Sequence, residues 1–313
     1  MATQTLKTPF GGNVTVYGPG SAVPARPLSR TRWFIAADHK QGKTTFGASV
    51  VNGFVIDVER KMDLVQARHP TNGWAGVSSL AEFDTLVQWL IKEKKNLPYE
   101  MVVVDTIDEL LHGILIPGLT EEYRTKLGDR WKVDDIREYG ASDRGSRGWD
   151  IIYGRLMDIF RDLYAAGYGW IVLGHTREEE IRKIVNGVQM VHTKKRPAIP
   201  AGARVQIFRA SEFIGTLHWK TSVVADPQVL VDGVWVPRTD ELVARIKEKG
   251  GRLLERTAQS NVRQCVLSVV EKESDSEVRV GSNVSLPPEI VLPLGAGWQA
   301  ILNVYTQQKG DSQ

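Results

Sequence analysis

Residues 32–45 read RWFIAADHKQGKTT, an apolar run of strand length that passes into Gly42, Lys43, Thr44 and Thr45, with helix-like sequence after it. That order is the order of a phosphate-binding loop. Such a loop points backbone N–H groups at phosphate oxygens, adds the partial positive charge of a helix N-terminus, and supplies a lysine for the terminal phosphates. Ala37, Asp38, His39, Lys40, Gln41, Gly42, Lys43, Thr44 and Thr45 are therefore the candidate nucleotide-binding positions. Lys43 is the phosphate cation and a candidate catalytic group, and the Thr44 hydroxyl is a candidate Mg²⁺ ligand. The full pattern has glycine where this chain has Ala37. Alanine adopts a positive φ less cheaply, so the loop entry is expected to differ. The competing reading is a chance Gly-Lys-Thr in a surface turn, against which the preceding strand and following helix count.

Three further apolar runs end in polar groups. Residues 101–106, MVVVDT, put Asp105 at a strand end, where a carboxylate can hold Mg²⁺ beside a phosphate loop. Residues 54–59, FVIDVE, end in Asp57 and Glu59; Glu59 is the candidate general base for an attacking water, and Asp57 reads as structural. Glu109 is a rival base, one helical turn beyond Asp105 and expected to face away. Residues 170–177, WIVLGHTR, offer His175 either as a γ-phosphate sensor, counted among the catalytic candidates, or as a satisfied strand-end histidine. The six histidines show no pair at metal-ligand spacing, which argues against zinc.

Between these strands, residues 80–95 and 151–165 carry apolar side chains on one helical face. Alternating strand and helix predicts an α/β fold with a mainly parallel central sheet flanked by helices, and the alternating segments after residue 180 predict antiparallel hairpins at its edge. Residues 1–30 read as an N-terminal strand and Pro-rich linker, 31–225 as the α/β core, and 226–313 as a hairpin and helix extension. Residues 111–148, charged and broken by Pro117 and several glycines, read as an inserted loop region. Residues 240–257 read as a polar helix interrupted by Gly250 and Gly251, and 298–305 as a short docking helix.

Composition sets the limits. Of 313 residues, 42% are hydrophobic and 25% charged, enough for a large core and against disorder over most of the chain. The formal charge of +3 announces no nucleic-acid or membrane partner in bulk, so such a surface has to be local. One cysteine, Cys265, leaves no internal disulfide framework and suits a reducing compartment, so the cytosol is expected. Neither an apolar leader nor a bilayer-spanning run is legible.

The four strand ends resemble, in type and order, the RecA-like branch of the P-loop ATPases. In that family the second strand ends in Asp-x-Glu, as at Asp57, Val58 and Glu59, and the Mg²⁺ strand ends in Asp-Ser or Asp-Thr, as at Asp105 and Thr106. More narrowly, the chain is similar to AAA-domain ATPases of bacteriophage genomes, some of them single-strand annealing proteins. The residues carrying this are 145–150 (GSRGWD), Gly174 to Thr176, the stretch from Ile199 to Gly215 with its FIG, and the Leu-Pro-Pro at 286–288. Residues 31–220 carry the likeness well and the rest loosely; Ala37 departs from it, and so does Glu212, where aspartate is usual. The resemblance implies an RecA-like α/β core, Mg²⁺-dependent ATP hydrolysis with ATP and Mg²⁺ as cofactors, a homo-oligomer, and host-cell cytosol for a phage-encoded chain. It also implies single-stranded DNA as partner, in annealing or recombination, with a single-strand-binding protein as a further candidate.

Two basic clusters suit that partner: Arg144, Arg147 and Arg155 near Trp149, and Lys194, Lys195 and Arg196 with Arg204 and Arg209. A charged groove with an aromatic platform is how single strands are held without sequence readout. The plainer reading is a solvated face, and Glu178, Glu179 and Glu180 dilute the second cluster. Two other functions stay open, an ATP-dependent loader or switch acting on a protein partner, and a nucleotide kinase.

Overall fold

The computed structural model describes residues 4–7, 13–16, 26–65, 68–142, 145–185, 188–231, 234–249, 253–269, 286–293 and 295–310. Strands β1 (Gln4–Lys7) and β2 (Asn13–Val16) form a separate antiparallel ribbon. The central strands bury side chains on both faces, which is why they read as unbroken apolar runs. β3 (Arg32–Ala37) sends Phe34 and Ala36 into one core and Trp33, Ile35 and Ala37 into the other. β4 (Gly53–Asp57), β6 (Met101–Asp105) and the start of β9 (Gly169–Val185) divide their side chains the same way. β5 (Gly73–Gly76) forms the parallel edge beside β4.

Helices line both faces of this sheet. α1 (Lys43–Ala48) follows the loop after β3. α2 (Leu80–Lys92) is capped by Ser79, whose side chain accepts from the Glu82 N–H, and buries Leu80, Phe83, Val87 and Leu90 at helical spacing. From residue 107 the chain is helical through 127: α3 (Ile107–Glu109), a π-turn (Leu110–Leu115) and α4 (Ile116–Leu127). A loop was expected here. Pro117 follows directly on the π-turn, whose closing bond runs from the Ile116 N–H to the Leu111 carbonyl, and Leu110, Leu111, Ile114, Leu115 and Leu119 bury in the same core as α2.

A two-stranded turn, β7 (Ala141–Ser142) with β8 (Gly145–Ser146), leads into α5 (Arg147–Ala166), which buries Ile152, Leu156, Ile159, Phe160 and Leu163. Gly148 is required at its start, because a Cβ there would lie 1.6 Å from the Ile136 carbonyl oxygen. β9 runs beyond the sheet and folds back as β10 (Val188–Pro197), and α6 (Ala201–Ala210) follows.

β11 (Phe213–Val231) pairs with β3 in parallel, then continues as an antiparallel partner of β12 (Val234–Pro237) and β13 (Glu255–Val269). The expected turn at Asp232 and Gly233 lies outside the described residues, between the paired Val231 and Val234. The polar helix expected over 240–257 is shorter: α7 (Asp240–Glu248), capped by Thr239, ends before the glycines, and strand resumes at Glu255. β14 (Glu289–Leu292) edges the sheet, and α8 (Gly297–Gly310) docks through Trp298, Ile301 and Tyr305.

The strand order is β14-β13-β11-β3-β9-β6-β4-β5, parallel from β11 to β5. The fold is thus the expected α/β class, a mostly parallel sheet between helices with antiparallel strands toward the C-terminus. β9 stands between the strand of the phosphate-loop motif and the strand of Asp105. The register nevertheless levels the tips, pairing Ala37 with His175, Asp105 with Leu173, and Asp57 with Asp105. Open parallel sheets hold ligands outside their carboxyl edge, where these tips lie. Glu212 accepts from Arg26 and from Arg32 (Nε, 2.9 Å), fixing the start of β3 to the start of β11. No helix among the described residues is long and apolar enough to cross a membrane.

Candidate active site

At the carboxyl edge, a cavity of about 510 Å³ is lined by His39, Lys40, Gly42, Lys43, Thr44, Thr45, Glu59, Lys61 and His175. The loop reaches it through two left-handed residues, Lys40 (φ 60) and Gly42 (φ 89). Ala37 needs no such conformation: it is the last paired residue of β3, so the expected distortion at the loop entry does not arise. Lys43 is buried and its Nζ donates to the carbonyl oxygens of Ala37 and Asp38, both at 3.0 Å. Burial lowers its pKa, and the charges of Asp105, Glu59 and Asp108 oppose that.

Asp105 is fully buried at the tip of β6, and neither of its carboxylate oxygens has a hydrogen-bond partner. Burial, with Glu59 and Asp57 adding like charge, pushes its pKa up to about 6; Thr44 and Lys43 pull the other way. The Thr44 hydroxyl is near enough to act on that pKa without hydrogen-bond geometry to either oxygen. Orphaned buried carboxylate oxygens are costly. Two of them beside a hydroxyl are the hard-oxygen donor set that a Mg²⁺ ion takes, so these residues fit that ion. Asp57 is used structurally, accepting from the backbone N–H of Lys61 (3.1 Å) and Met62 (2.8 Å).

Glu59 lies at the centre of a network. Its Oε1 accepts from Thr106 Oγ1 at 3.0 Å and sits 3.3 Å from His175 Nε2, while its Oε2 pairs with Lys61 Nζ. Burial pushes its pKa up, but the hydrogen bonds from Lys61 and Thr106 and the nearby positive charge leave it below the ordinary value. Lys61 rises correspondingly, chiefly through its bond to Glu59. His175 joins Glu59 to Asp108: its backbone N–H donates to Asp108 Oδ1 (2.9 Å), its Nδ1 meets Oδ2, and its ring lies on that of His39 with centroids 4.2 Å apart. Burial works to raise the Asp108 pKa, yet the bonds to His175 bring it below normal. The ligand atoms of Glu59, Asp108 and His175 lie within 4.8 Å of one another, though here they are engaged mutually. Glu109, the rival base, is exposed; its carboxylate lies beside Gly113 one turn further along the helix, and its charge acts on Lys61.

The structure thus gathers Lys43, Thr44, Glu59, Asp105 and His175 at one edge. It adds Lys61 and Asp108, which sequence reading passed over and whose one signal is a place within three residues of a candidate acid, and it ties Thr106, quoted only as part of the Asp-Thr strand ending, to Glu59. A further link was not legible. Asp38 of the loop pairs with Thr176 at the tip of β9 and with Lys195 of β10, and the bonds from Lys195 and Thr176 hold its pKa down.

The candidate nucleic-acid residues are dispersed. Arg144 and the side chain of Lys194 lie outside the described residues, and Arg147 is exposed. Arg155 pairs with Asp84 and so ties α5 to α2. Arg196 Nη1 is 3.5 Å from Glu179 Oε2. Because β9 and β10 pair Lys195 with Glu178 and Lys194 with Glu179, the basic run faces the acidic run across the hairpin.

The sequence matches the family described as AAA domain over residues 29–246. No curated protein matches the chain. Among solved structures it is similar to a KaiC-like protein from the hyperthermophilic archaeon Pyrococcus horikoshii OT3, at 11% sequence identity and a TM-score of 0.39, over 86% of this chain and 88% of that one.

Proposed function

The chain belongs to the AAA-domain family, and from that premise we propose that it is an Mg²⁺-dependent ATPase whose nucleotide state is transmitted to the β9–β10 hairpin, acting on single-stranded DNA. The observation that carries the ATPase reading is Asp105, a buried carboxylate with two unpartnered oxygens at the sheet edge, acted on by the Thr44 hydroxyl and the Lys43 charge. Lys43 neutralises the terminal phosphates, exchanging its two carbonyl bonds for phosphate oxygens. Thr44 and Asp105 would hold Mg²⁺, which when bound withdraws charge from the phosphoryl oxygens. Glu59, kept ionised, takes the proton of the attacking water, and Thr106 fixes the orientation of its carboxylate. Asp38 supplies the transmission. Its carbonyl binds Lys43 and its carboxylate binds Thr176 and Lys195, so a phosphate that draws Lys43 away acts on the base of the hairpin.

Asp105→Asn tests the Mg²⁺ assignment. An acid whose pKa is raised from 3.8 to about 6 by folding binds its proton more tightly in the folded chain. Its contribution therefore favours folding at low pH and is lost as the pH rises toward 6 and beyond. The asparagine variant should be more stable than the parent at pH 7.5, by roughly 2–3 kcal/mol, and the gap should close at pH 4; thermal melts without nucleotide measure it. Hydrolysis should fall more than nucleotide binding. Equal hydrolysis in both proteins would remove Asp105 from the site.

Single-stranded DNA is supported by the basic residues of the hairpin. Alanine at Lys194, Lys195 and Arg196 together should weaken single-strand binding for all sequences alike and lower the slope of log K against log salt by roughly 2, about 0.7 for each phosphate contact. An unchanged slope in the folded variant favours the second reading, a protein partner. One observation supports that reading in its own right: Lys195 and Arg196 are already paired with Asp38 and Glu179. ATPase rate with and without single-stranded DNA, across a salt series, separates the two.

A further inference from the structure

β3 has a neighbour on each side, and the phosphate loop leaving it has a cavity on each side. Toward β9 lies the one that holds Glu59 and His175. Toward β11 lies a larger one, about 680 Å³, which shares Lys40, Gly42 and Thr45 with the first. Its remaining walls come from far along the chain: Trp219 of β11, Arg263 and Cys265 of β13, and Leu292 and Pro293 at the end of β14. Phe46 of α1 and Gly297 of α8 close it, packed so tightly that a Cβ on Gly297 would meet the Phe46 ring at 3.2 Å.

The placement follows from register. Leu217 is the last β11 residue paired with β3, opposite Ala37, so Trp219 stands two residues further on, alongside the loop. Across the ribbon Trp219 pairs with Cys265, whose Sγ lies 3.9 Å from the Gln41 carbonyl and holds the ribbon to the loop. The Arg263 guanidinium lies 5.0 Å from the centre of the Trp219 ring. The volume and the mixture of apolar wall with few polar groups suit a small ligand. An indole paired with a guanidinium is a platform for a flat π-system.

We propose that this second cavity takes the nucleoside of the bound nucleotide, with the base stacked on Trp219. This rests on the nucleotide reading above and extends it. A phosphate chain lying over Gly42 and Thr45, with its terminal end toward Glu59, leaves its other end directed into the space that shares those two residues. The C-terminal strands and α8 are then part of the binding site, which supplies a reason for their docking against α1.

The test compares MgATP with Mg-tripolyphosphate, which has the phosphates and no nucleoside. Binding of both is measured by calorimetry in the parent, Trp219→Ala, Trp219→Phe and Lys43→Ala. Loss of one stacking contact corresponds to about 5- to 150-fold, so Trp219→Ala should weaken MgATP by at least fivefold, leave tripolyphosphate within twofold, and be rescued by Trp219→Phe. Unchanged MgATP affinity in Trp219→Ala overturns the proposal. Loss of both ligands also overturns it, since Trp219 would then be supporting the loop and not the base. Lys43→Ala reports separately on the phosphate loop: if it leaves both affinities intact, the nucleotide reading itself has failed.

Discussion

Lys43→Ala is expected to lose ATP affinity by at least about 100-fold, close to 2.7 kcal/mol. The ammonium is the principal cation facing the phosphates, and hydrogen bonds to charged groups contribute about 1.5–3 kcal/mol each. In the structure the same ammonium is buried against two carbonyl groups of the loop, at 3.0 Å each. Its desolvation, visible in the lowered pKa, is offset by Asp105, Glu59 and Asp108. Removing it leaves that acidic cluster without its buried cation, so the variant should also depend on Mg²⁺ for whatever nucleotide binding persists. Calorimetric titration with and without Mg²⁺ measures both effects. An affinity within about twofold of the parent, ~0.4 kcal/mol, would show that the phosphates bind elsewhere.

Glu59→Gln should bind ATP and fail to hydrolyse it, with a rate reduced by about 10²- to 10⁴-fold. The amide keeps the shape of the carboxylate and can still accept from Thr106, but it takes no proton from water. It also breaks the pair with Lys61, whose raised pKa depends on that partner. Single-turnover hydrolysis beside equilibrium ATP binding distinguishes a trapped complex from a binding defect. Because the Glu59 pKa lies below the ordinary carboxylate value, this group stays ionised down to lower pH than a free glutamate. Loss of activity on mild acidification is therefore not expected to come from Glu59. Normal turnover in Glu59→Gln, with loss in Glu109→Gln, would reassign the base to a residue that this structure places outside the cavity.

What could be read in the sequence was local. The strands of Trp33, Phe54, Met101 and Trp170 stand where unbroken apolar runs place them, since burial on both faces leaves no polar residue to break the run. The loop motif and the acids that end β4 and β6 were legible because each is contiguous in the chain. Helices α2 and α5 followed from apolar spacing. Residues 111–127 misled because proline and glycine signal breaks by composition, whereas here Pro117 is taken up directly after the π-turn and Gly118 lets α4 approach Leu80.

The sequence by itself determined which side chains stand at the strand tips; only the tertiary structure decided which of them meet. β9 separates the phosphate-loop strand from the strand of Asp105, and so brings His175 to Glu59. Lys195 read as a candidate DNA contact or part of a solvated face, and is bound to Asp38, 157 residues away in the chain. Cys265, read as part of the extension, and Trp219, read as the end of the core, both stand against the phosphate loop, with Cys265 reaching Gln41 across 224 residues. The reason is physical: periodicity and propensity act over a few residues, whereas strand order and register are set by how two cores close over both faces of one sheet.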